Sequence, residues 1–541
     1  MSASANRDPA LPWSTRTTNL AHFLTRNAAR LGDRPAIVWG DLTLTWAQLD
    51  ARVSALAAAM RNRFGVMAGD RVLVQTPNNN QIVESMLACW RIGAVWVPSN
   101  YRQHPHEIAY LAQKADVSLM LCHEQSGPHA EACQAAHPGL RDVICIGSGF
   151  GTSYDSLIAE FIGQDVPNAD VDRDAPAWLF FTSGSTGHPK AVVLTHGQLT
   201  FVTVNHLNDL MPGTGPDDHS LVVAPLSHGA GMHQLCQIAA GASSILMPPG
   251  RMDPAIAWEL VERHAVTNMF TVPTIVKMLT EHSSVDEFDH SSLRYVIYAG
   301  APMYRADQKH ALRKLGKVLV QYFGLGEVTG AITVLPATDH HIEDTPEARV
   351  GTCGFERTGL HVSIQDDAGS HLGPMETGEI CVAGPAVCAG YFRDEGANSK
   401  AFRDGWFRTG DLGHLDAQRY LFITGRASDM YISGGSNVYP REIEEILLTL
   451  DELSEVAILG APDPKWGEIG LAVCVRTPDS DLSEADITAF LMQRIARYKL
   501  PHRVIFLDEM PKSGYGKITK KLVREVLQEQ GLWPDPDAGA A

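Results

Sequence analysis

The chain has 541 residues, of which 45% are apolar and 20% are charged, so it is too long for one hydrophobic core and predicts two or more domains. Its formal net charge of −18 argues against binding to nucleic acid or to an anionic membrane surface. The nine cysteines are dispersed, odd in number and never spaced as C-x-x-C, which argues against a disulfide framework or a zinc site.

The N-terminal stretch lacks the basic-then-apolar pattern of a signal peptide, and no run of about 18 apolar residues occurs. The cysteines resemble buried small hydrophobes in a reducing compartment. We therefore expect a cytoplasmic protein without a membrane span. The sequence leaves open whether the chain is a monomer or a homodimer.

The first part of the chain alternates short apolar runs with longer amphipathic segments. A helix over LTWAQLDARVSALAAAMRN precedes the strands DRVLVQTP and GAVWVP. From about Ala175, helix-like segments separate the strands AWLFF, SLVVAPL, SSILMPP, NMFTVP, LRYVIYAG and KVLVQYFG. Strands that alternate with helices predict an α/β fold, in which helices wrap parallel sheets.

Near Asp404 to Gly413 the sequence becomes glycine-rich with short β segments, and another pattern begins after Arg426. That pattern contains a helix over VYPREIEEILLTL, the strands SEVAILG and LAVCV, a helix near EADITAFLMQRIARY and a last strand RVIFL. We predict that residues 1–427 form a large domain of parallel and mixed sheets with a β-rich subdomain. Residues 428–541 should form a small mobile α+β domain.

The strand AWLFF leads into a loop rich in glycine, hydroxyl side chains and lysine. Glycines let backbone N–H groups approach a phosphate chain, hydroxyls add donors and lysine adds charge, so the loop predicts a phosphate site. It is not a Walker loop, because His188 and Pro189 precede the lysine. A flexible polar turn would have the same composition. The residues concerned are Thr182, Ser183, Gly184, Ser185, Thr186, Gly187 and Lys190.

Three further motifs are weak when each is taken alone. Phe323 and Glu327 follow a strand, at the edge where parallel sheets bind ligands, and offer a stacking face and an oxygen ligand for Mg²⁺. Asp411, with Arg426 downstream, suits either ribose hydroxyls or a structural turn. Lys517 lies in a glycine-containing loop near the C-terminus, where a lysine is normally only solvated.

In their joint order and spacing, these motifs resemble the adenylate-forming superfamily, in particular acyl-CoA synthetases of the fatty-acid or aryl-acid CoA ligase type. The resemblance extends from about Leu44 to Lys521. It depends on seven motifs that stand in family order: TSGSTGHPK, PLSHGAG, YAGAP, FGLGE, WFRTGDLG, GRASDMYISGGSNVYPREIE and SGYGK.

The resemblance implies an ATP-dependent enzyme that also uses Mg²⁺ and coenzyme A. Its implied catalytic residues are Lys517, Glu327 and Thr186, and Glu327 is the implied metal ligand. In the family, the small domain rotates after the first half-reaction, which withdraws the lysine and brings a glycine pair to the pantetheine tunnel. The implied ligands of ATP and coenzyme A are the loop residues Thr182 to Lys190, then Gly300, Ala301, Pro302, Phe323, Gly324, Asp411, Arg426, Gly434, Gly435 and Lys517, with Ser428 as the hinge.

Three positions depart from the family pattern. Phe323 stands where tyrosine is usual, Gly326 stands where threonine is usual, and Ser428 replaces an aspartate or lysine at the hinge. Gly326 lacks the hydroxyl that normally lies next to Glu327. We expect a water molecule or Thr329 to replace that donor. A hinge needs backbone freedom more than charge, so Ser428 should preserve function.

The substrate is predicted to be a carboxylic acid without an α-amino group. Amino-acid-activating relatives bind the ammonium through an aspartate in the segment equivalent to residues 225–231, whereas no acidic residue occurs here between Asp218 and Asp253. Acetate-specific relatives have tryptophan at the position of Gly324, so we expect a larger acid, either medium-chain or long-chain aliphatic or aromatic. The predicted pocket residues are His228, Gly229, His233, Gly300 and Gly324.

Coenzyme A is the favoured acyl acceptor, because 24 residues follow Lys517 and leave no room for a fused carrier domain. The first alternative is a free-standing adenylation enzyme that loads a separate carrier protein. A luciferase-like oxygenase is a more distant one. An alternative of another class is a non-catalytic nucleotide-binding regulator, which would be expected to lose Lys517, Glu327 and Asp411, yet all three are present.

Overall fold

The computed structural model describes residues 16–182, 189–250, 252–301, 303–345, 348–426, 429–433, 436–463, 466–478, 480–512 and 518–534. The elements as far as residue 195 are α1 (His22–Leu31), β1 (Pro35–Trp39), β2 (Leu42–Thr45), α2 (Trp46–Asn62), β3 (Arg71–Gln75), α3 (Asn80–Arg91), β4 (Val95–Pro98), α4 (Pro105–Ala115), β5 (Leu119–His123), α5 (Gly127–Ala136), β6 (Asp142–Ile146), β7 (Thr152–Ser153), α6 (Tyr154–Phe161), β8 (Pro176–Thr182) and β9 (Lys190–Thr195).

Seven of these strands form the first sheet, in the order β7-β6-β5-β3-β4-β8-β9. Its pairings are parallel except for β8 with β9, which places Thr182 opposite Lys190. Buried tryptophans fill the core beside it: the Trp96 ring centroid lies 6.5 Å from that of Trp90 and 4.6 Å from that of Trp178. Such edge-to-face aromatic packing fixes the sheet that carries Thr182 and Lys190.

The second sheet is built from β1, β2 and the strands that follow β9. The elements in this part are α7 (His196–Asp209), β10 (His219–Val222), α8 (Gly229–Ala240), β11 (Ser243–Leu246), α9 (Pro254–Arg263), β12 (Asn268–Thr271), α10 (Pro273–Glu281), β13 (Tyr295–Tyr298), α11 (Arg305–Leu315), β14 (Leu319–Phe323), β15 (Thr333–Leu335), β16 (Thr352–Glu356), β17 (His361–Gln365), β18 (Gly378–Ala383), α12 (Glu395–Ala401), β19 (Phe402–Arg403), β20 (Trp406–Leu415) and β21 (Tyr420–Arg426).

This sheet has two parts that differ in strand direction. From β1 to β14 the order is β1-β11-β10-β12-β13-β14 and the pairings are parallel. From β14 it continues antiparallel through β15, β16, β21, β20, β18 and β17. The parallel part corresponds to the predicted α/β region, and the antiparallel part is the predicted β-rich subdomain.

A third sheet follows Arg426 in the sequence. Its elements are β22 (Tyr431–Ser433), β23 (Ser436–Val438), α13 (Pro440–Leu447), β24 (Leu453–Asp463), β25 (Gly467–Arg476), α14 (Glu484–Met492), β26 (Arg503–Phe506) and α15 (Lys520–Glu529). Pro440 is the first residue of α13, as predicted, because its missing N–H would have no helical partner there. The predicted fold class is confirmed. Residues 427 and 428 lie outside the described part, so the domain boundary stays a prediction.

All nine cysteines are buried and free, as expected for small hydrophobes. Burial raises the pKa of Cys236 and of Cys353 to about 12, so neither thiol ionises near neutral pH. Within the described ranges, no helix is both long enough and apolar enough to cross a bilayer.

Candidate active site

Glu327, the predicted metal ligand, lies in a short turn directly after β14 and is 8% exposed. Its Oε1 atom accepts a hydrogen bond from the Thr182 hydroxyl at 3.1 Å and another from the Tyr391 hydroxyl at 3.0 Å. Thr182 is the last residue of β8. The structure therefore joins the start of the predicted phosphate loop to the predicted metal ligand, although 145 residues separate them in the sequence.

Tyr391 is a site residue that the sequence reasoning missed. Its ring faces the Lys190 ammonium, whose Nζ lies 4.9 Å from the ring centroid, while its hydroxyl bonds to Glu327. Burial and the neighbouring Glu327 carboxylate raise the pKa of Tyr391, so the phenol stays protonated and donates. Its only sequence signal is a tyrosine after Gly390, a pattern too common to indicate a site.

The space that a side chain at Gly326 would need is occupied by residues of β8. A Cβ atom at this position would lie 2.7 Å from two ring atoms of Phe180 and 2.8 Å from Cγ2 of Thr182. Real Cβ contacts are longer, so a threonine would force the Phe180 ring to move. The unusual glycine is thus matched to a bulky residue on β8.

Of the two replacements expected for the missing donor, a water molecule or Thr329, the structure does not support Thr329. The Thr329 hydroxyl donates instead to the carbonyl oxygens of Val328 at 2.6 Å and of Ala386 at 3.3 Å. A left-handed backbone, with φ of +51°, holds Thr329 in that orientation. Among the described residues, Tyr391 and Thr182 supply the hydroxyl donors to Glu327.

Asp411 and Arg426 face each other on β20 and β21. The Arg426 Nε donates to Asp411 Oδ1 at 3.1 Å, whereas the buried Asp411 Oδ2 has no hydrogen-bond partner in the described part of the chain. Burial raises the pKa of Asp411 from its ordinary value. An unfilled buried carboxylate oxygen costs free energy unless a ligand donates to it, and a ribose hydroxyl has the required chemistry.

The predicted adenine-binding residues lie on neighbouring strands. Gly300 and Ala301 follow β13, Phe323 ends β14, and these two strands pair in parallel. Gly300 has φ of +83°, a left-handed conformation that favours glycine and lets the backbone leave the strand sharply. The predicted segment and the predicted stacking ring are therefore brought to the same edge of the sheet.

Aromatic rings surround the start of α8, where His228 and Gly229 were predicted to line the acyl pocket. The His228 ring lies 5.3 Å from Phe180 in an edge-to-face arrangement. A Cβ atom on Gly229 would lie 2.7 Å from Phe270 Cζ and 3.6 Å from the Tyr322 hydroxyl. The Phe270 and Tyr322 rings stack with centroids 6.0 Å apart. Glycine at 229 thus lets the start of α8 lie directly against these two rings, where a larger side chain would strike Phe270.

Gly324 does not face open space. A Cβ atom there would lie 2.2 Å from the carbonyl carbon of Gly330, so any side chain would displace backbone. A tryptophan at this position, as in acetate-specific relatives, would therefore require the backbone near Gly330 to move. A role for Gly324 in the pocket stays a prediction.

His233 lies deeper and is 4% exposed. Its Nε2 atom contacts Asn268 Oδ1 at 2.8 Å, and Ser220 Oγ and Gln237 Nε2 at 3.1 Å each. Burial lowers the pKa of His233 to about 4, so the ring is neutral near pH 7. This network gives the imidazole a structural role, and its predicted contact with substrate stays untested.

Several predicted residues lie outside the described part of the chain, among them the catalytic Thr186 and Lys517: Ser183, Gly184, Ser185, Thr186, Gly187, Pro302, Ser428, Gly434, Gly435 and Lys517. Within the described ranges, no cluster of three histidine, cysteine or acidic side chains could hold a metal alone. One carboxylate such as Glu327 fits Mg²⁺, which usually takes its other ligands from water and from the phosphates of its substrate.

Comparison with known proteins places the chain in a family. The profile of the AMP-binding enzyme family matches residues 24–392, and that of the AMP-binding enzyme C-terminal domain matches residues 442–517. A feruloyl-CoA synthase from Amycolatopsis sp is 33% identical over 94% of this chain and 99% of its own length. An indoleacetate–CoA ligase from Aromatoleum aromaticum is 32% identical over 94% and 98% of the two chains.

A solved fatty acyl CoA synthetase from Mycobacterium tuberculosis superposes with a TM-score of 0.75 at 30% identity, and covers 95% of this chain and 99% of that one. Adenylate-forming CoA ligases use ATP and coenzyme A. Two matched profiles and relatives aligned over almost their whole length lead to one assignment. The chain belongs to the AMP-binding enzyme family and is an ATP-dependent acyl-CoA synthetase.

Proposed function

We propose that this enzyme activates an aromatic or arylalkanoic acid with MgATP and transfers the acyl group to coenzyme A. The observation that carries the proposal is the aromatic lining beside Gly229, where Phe180, His228, Phe270 and Tyr322 present ring faces and edges. Aromatic rings gain energy from offset or edge-to-face contact with one another beyond the area that they bury, so such a lining suits an aryl group. A feruloyl and an indoleacetate enzyme among the relatives support the same class.

The reaction needs two steps because a carboxylate is a poor electrophile. In the first, a carboxylate oxygen attacks the α-phosphorus of ATP, and pyrophosphate leaves to give the acyl-adenylate. In the second, the thiol of coenzyme A attacks the acyl carbon and AMP leaves with the oxygen that had bonded to phosphorus. Each step thus exchanges one bond for another without an oxidant or reductant.

Two anions converge in the first step, so positive charge must collect at the α-phosphorus. In this proposal Lys517 reaches the reacting carboxylate, Lys190 and the loop with Thr186 hold the phosphates, and Glu327 holds Mg²⁺. The metal would neutralise phosphate charge. The hydroxyls of Tyr391 and Thr182 fix the carboxylate of Glu327, and the open Oδ2 of Asp411 supports a ribose contact.

A pyrophosphate-release assay over a panel of acids tests the proposal. The panel contains 3-phenylpropanoate, indoleacetate, a cinnamate, octanoate, palmitate, acetate and phenylalanine, each with and without coenzyme A. We expect the highest kcat/KM for an aryl acid and one thioester formed per pyrophosphate when coenzyme A is present. A preference for palmitate, acetate or phenylalanine would contradict the proposed substrate class.

The same assay distinguishes the proposed acceptor from a carrier protein. An enzyme that loads a separate carrier would release pyrophosphate with an aryl acid but form no thioester with coenzyme A. A non-catalytic regulator would bind ATP and release no pyrophosphate with any acid.

A further inference from the structure

Arg357 is a charged residue that none of the predicted roles uses. It follows β16 directly, and its side chain is 0% exposed. Its Nη2 donates to His206 Nδ1 at 2.8 Å. Burial lowers the pKa of His206 well below its ordinary value, so this partner is a neutral ring and brings no negative charge.

The nearest carboxylate does not bond to the guanidinium. Asp209 Oδ2 lies 3.9 Å from Arg357 Nε, which is too long for a hydrogen bond. The Asp209 oxygens are already engaged, since Oδ2 accepts from the Thr358 backbone at 2.8 Å and from Asn205 at 3.0 Å, and Oδ1 accepts from the Thr358 hydroxyl at 2.8 Å. Asp209 therefore holds the turn after Arg357 and leaves the Nε and Nη1 atoms of the guanidinium without a close acceptor.

Arg357 consequently carries open donors in the core. Its Nε and Nη1 atoms are buried and have no hydrogen-bond partner among the described residues. Burial lowers the pKa of Arg357 to about 10, which still leaves the group charged near pH 7. A buried guanidinium with unfilled donors is costly, and native structures retain such a group mainly where a ligand or ordered water fills it.

Arg357 lies beside Tyr322, one of the rings that line the proposed acyl pocket. Its Cζ lies 6.0 Å from the centroid of the Tyr322 ring, and the His206 ring meets the same tyrosine edge to face at 5.8 Å. The hydroxyl end of Tyr322 is 3.6 Å from the Cβ position of Gly229, at the aromatic lining. An acyl group that runs along Tyr322 from Gly229 would bring its far end toward the open donors.

We propose that Arg357 is a specificity-determining residue. It recognises an oxygen acceptor at the far end of the acyl group, such as a ketone, phenol or second carboxylate oxygen, by donating a hydrogen bond to it. The inference rests on the proposed function, because it assumes that the pocket beside Gly229 holds an aryl acid. A planar guanidinium suits this task, because its Nε and Nη1 hydrogens lie on different edges of the group and each can donate to an oxygen in the guanidinium plane.

Matched pairs of acids test this role. Arylacetates and 3-arylpropanoates are prepared with a para acetyl, hydroxyl or carboxylate group, and each is compared with a para ethyl or methyl analogue in pyrophosphate release. We expect native enzyme to favour the oxygen-tipped member of at least one pair by about 100-fold or more in kcat/KM, since leaving buried donors unpaired is strongly discriminating. Arg357→Met should reverse the preference, because the apolar tip then meets an apolar side chain.

Arg52→Met is the matched control. Arg52 is partly buried, and its Nε donates to the fully buried Glu84 on α3 at 2.8 Å, so its guanidinium already has a carboxylate partner. Its loss should lower thermal stability and leave the ratio between paired acids as in the native enzyme. Arg357→Lys, which keeps the charge but not the planar fork, should retain a preference reduced by about tenfold. It provides the readout if Arg357→Met does not fold.

Two results would overturn the inference. One is a native enzyme that treats the members of every pair alike, as it would if ordered water filled the donors. The other is a folded Arg357 variant whose preference equals that of the native enzyme. Failure of the proposed function looks different, because native enzyme would then release no pyrophosphate with aryl acids of either kind.

Discussion

Replacing Tyr391 by phenylalanine tests how the predicted Mg²⁺ ligand is held. The change removes the hydroxyl that donates to Glu327 at 3.0 Å and keeps the ring that faces the Lys190 ammonium. Glu327 would then rely on the Thr182 hydroxyl at 3.1 Å. The carboxylate is 8% exposed, so bulk water cannot simply replace the lost donor.

The expected loss of activity in Tyr391→Phe follows from the strength of hydrogen bonds to charged groups, which contribute about 1.5–3 kcal/mol each. Because Thr182 remains, we expect the lower part of that range, about 1.5–2 kcal/mol, or about 10- to 30-fold in kcat/KM for MgATP. Thioester formation from supplied acyl-adenylate should change far less, because that step occurs after pyrophosphate and its metal have left.

ATP–pyrophosphate exchange at subsaturating MgATP measures the effect. Tyr420→Phe is the control, because the Tyr420 hydroxyl also donates to a carboxylate, Asp339 Oδ2 at 2.7 Å, but at the opposite end of β21 from Arg426. It should leave the exchange rate near the native value. The reasoning is refuted if folded Tyr391→Phe exchanges within twofold of native enzyme, or if both half-reactions fall equally.

Further predictions concern neighbouring groups. Gly326→Thr should lower the rate of adenylation because the new Cβ would strike Phe180. Adding Phe180→Ala to the same chain should restore much of that rate. A folded Gly326→Thr variant with native activity would contradict the packing argument. Asp411→Ala should raise KM for ATP by about 10- to 100-fold, as expected for lost hydrogen bonds to a charged group, whereas an unchanged KM in steady-state kinetics would exclude the ribose contact. Lys517→Ala should slow adenylation by about 10² to 10³ and spare thioester formation, and equal loss in both assays would argue against a rotating small domain. Gly435→Leu should spare pyrophosphate release and abolish coenzyme A consumption; a parallel loss would make the residue structural.

Much of the fold was predictable because local patterns dominate it. The run AWLFF is the core of β8, and the run KVLVQYF contains β14, as alternating strands and helices require. Helix α2 begins at Trp46 because the Thr45 side chain accepts from the Gln48 backbone while Gln48 bonds back to Thr45, a capping pattern visible in the sequence. The helix predicted near residues 484–498 ends earlier, at Met492.

The site was predictable only where its residues share a motif. Glu327 and Thr182 belong to recognisable segments, but Tyr391 reaches Glu327 across 64 residues and carries no local signal. Gly326 looked like a lost donor, and only the packing of Phe180 against it shows why a side chain is absent. The open donors of Arg357 could not be predicted from the sequence either. They result from the hydrogen bonds that Asp209 and His206 make in the folded chain, which no sequence spacing encodes.

Oxygen transfer from the substrate tests the central claim most directly. An aryl acid labelled with ¹⁸O in both carboxylate oxygens is converted to its thioester with native enzyme, MgATP and coenzyme A, and the AMP and pyrophosphate are analysed by mass spectrometry. Attack on the α-phosphorus predicts one ¹⁸O atom in the phosphate of AMP and none in pyrophosphate. Label in pyrophosphate, or unlabelled AMP accompanied by thioester, would contradict activation through an acyl-adenylate.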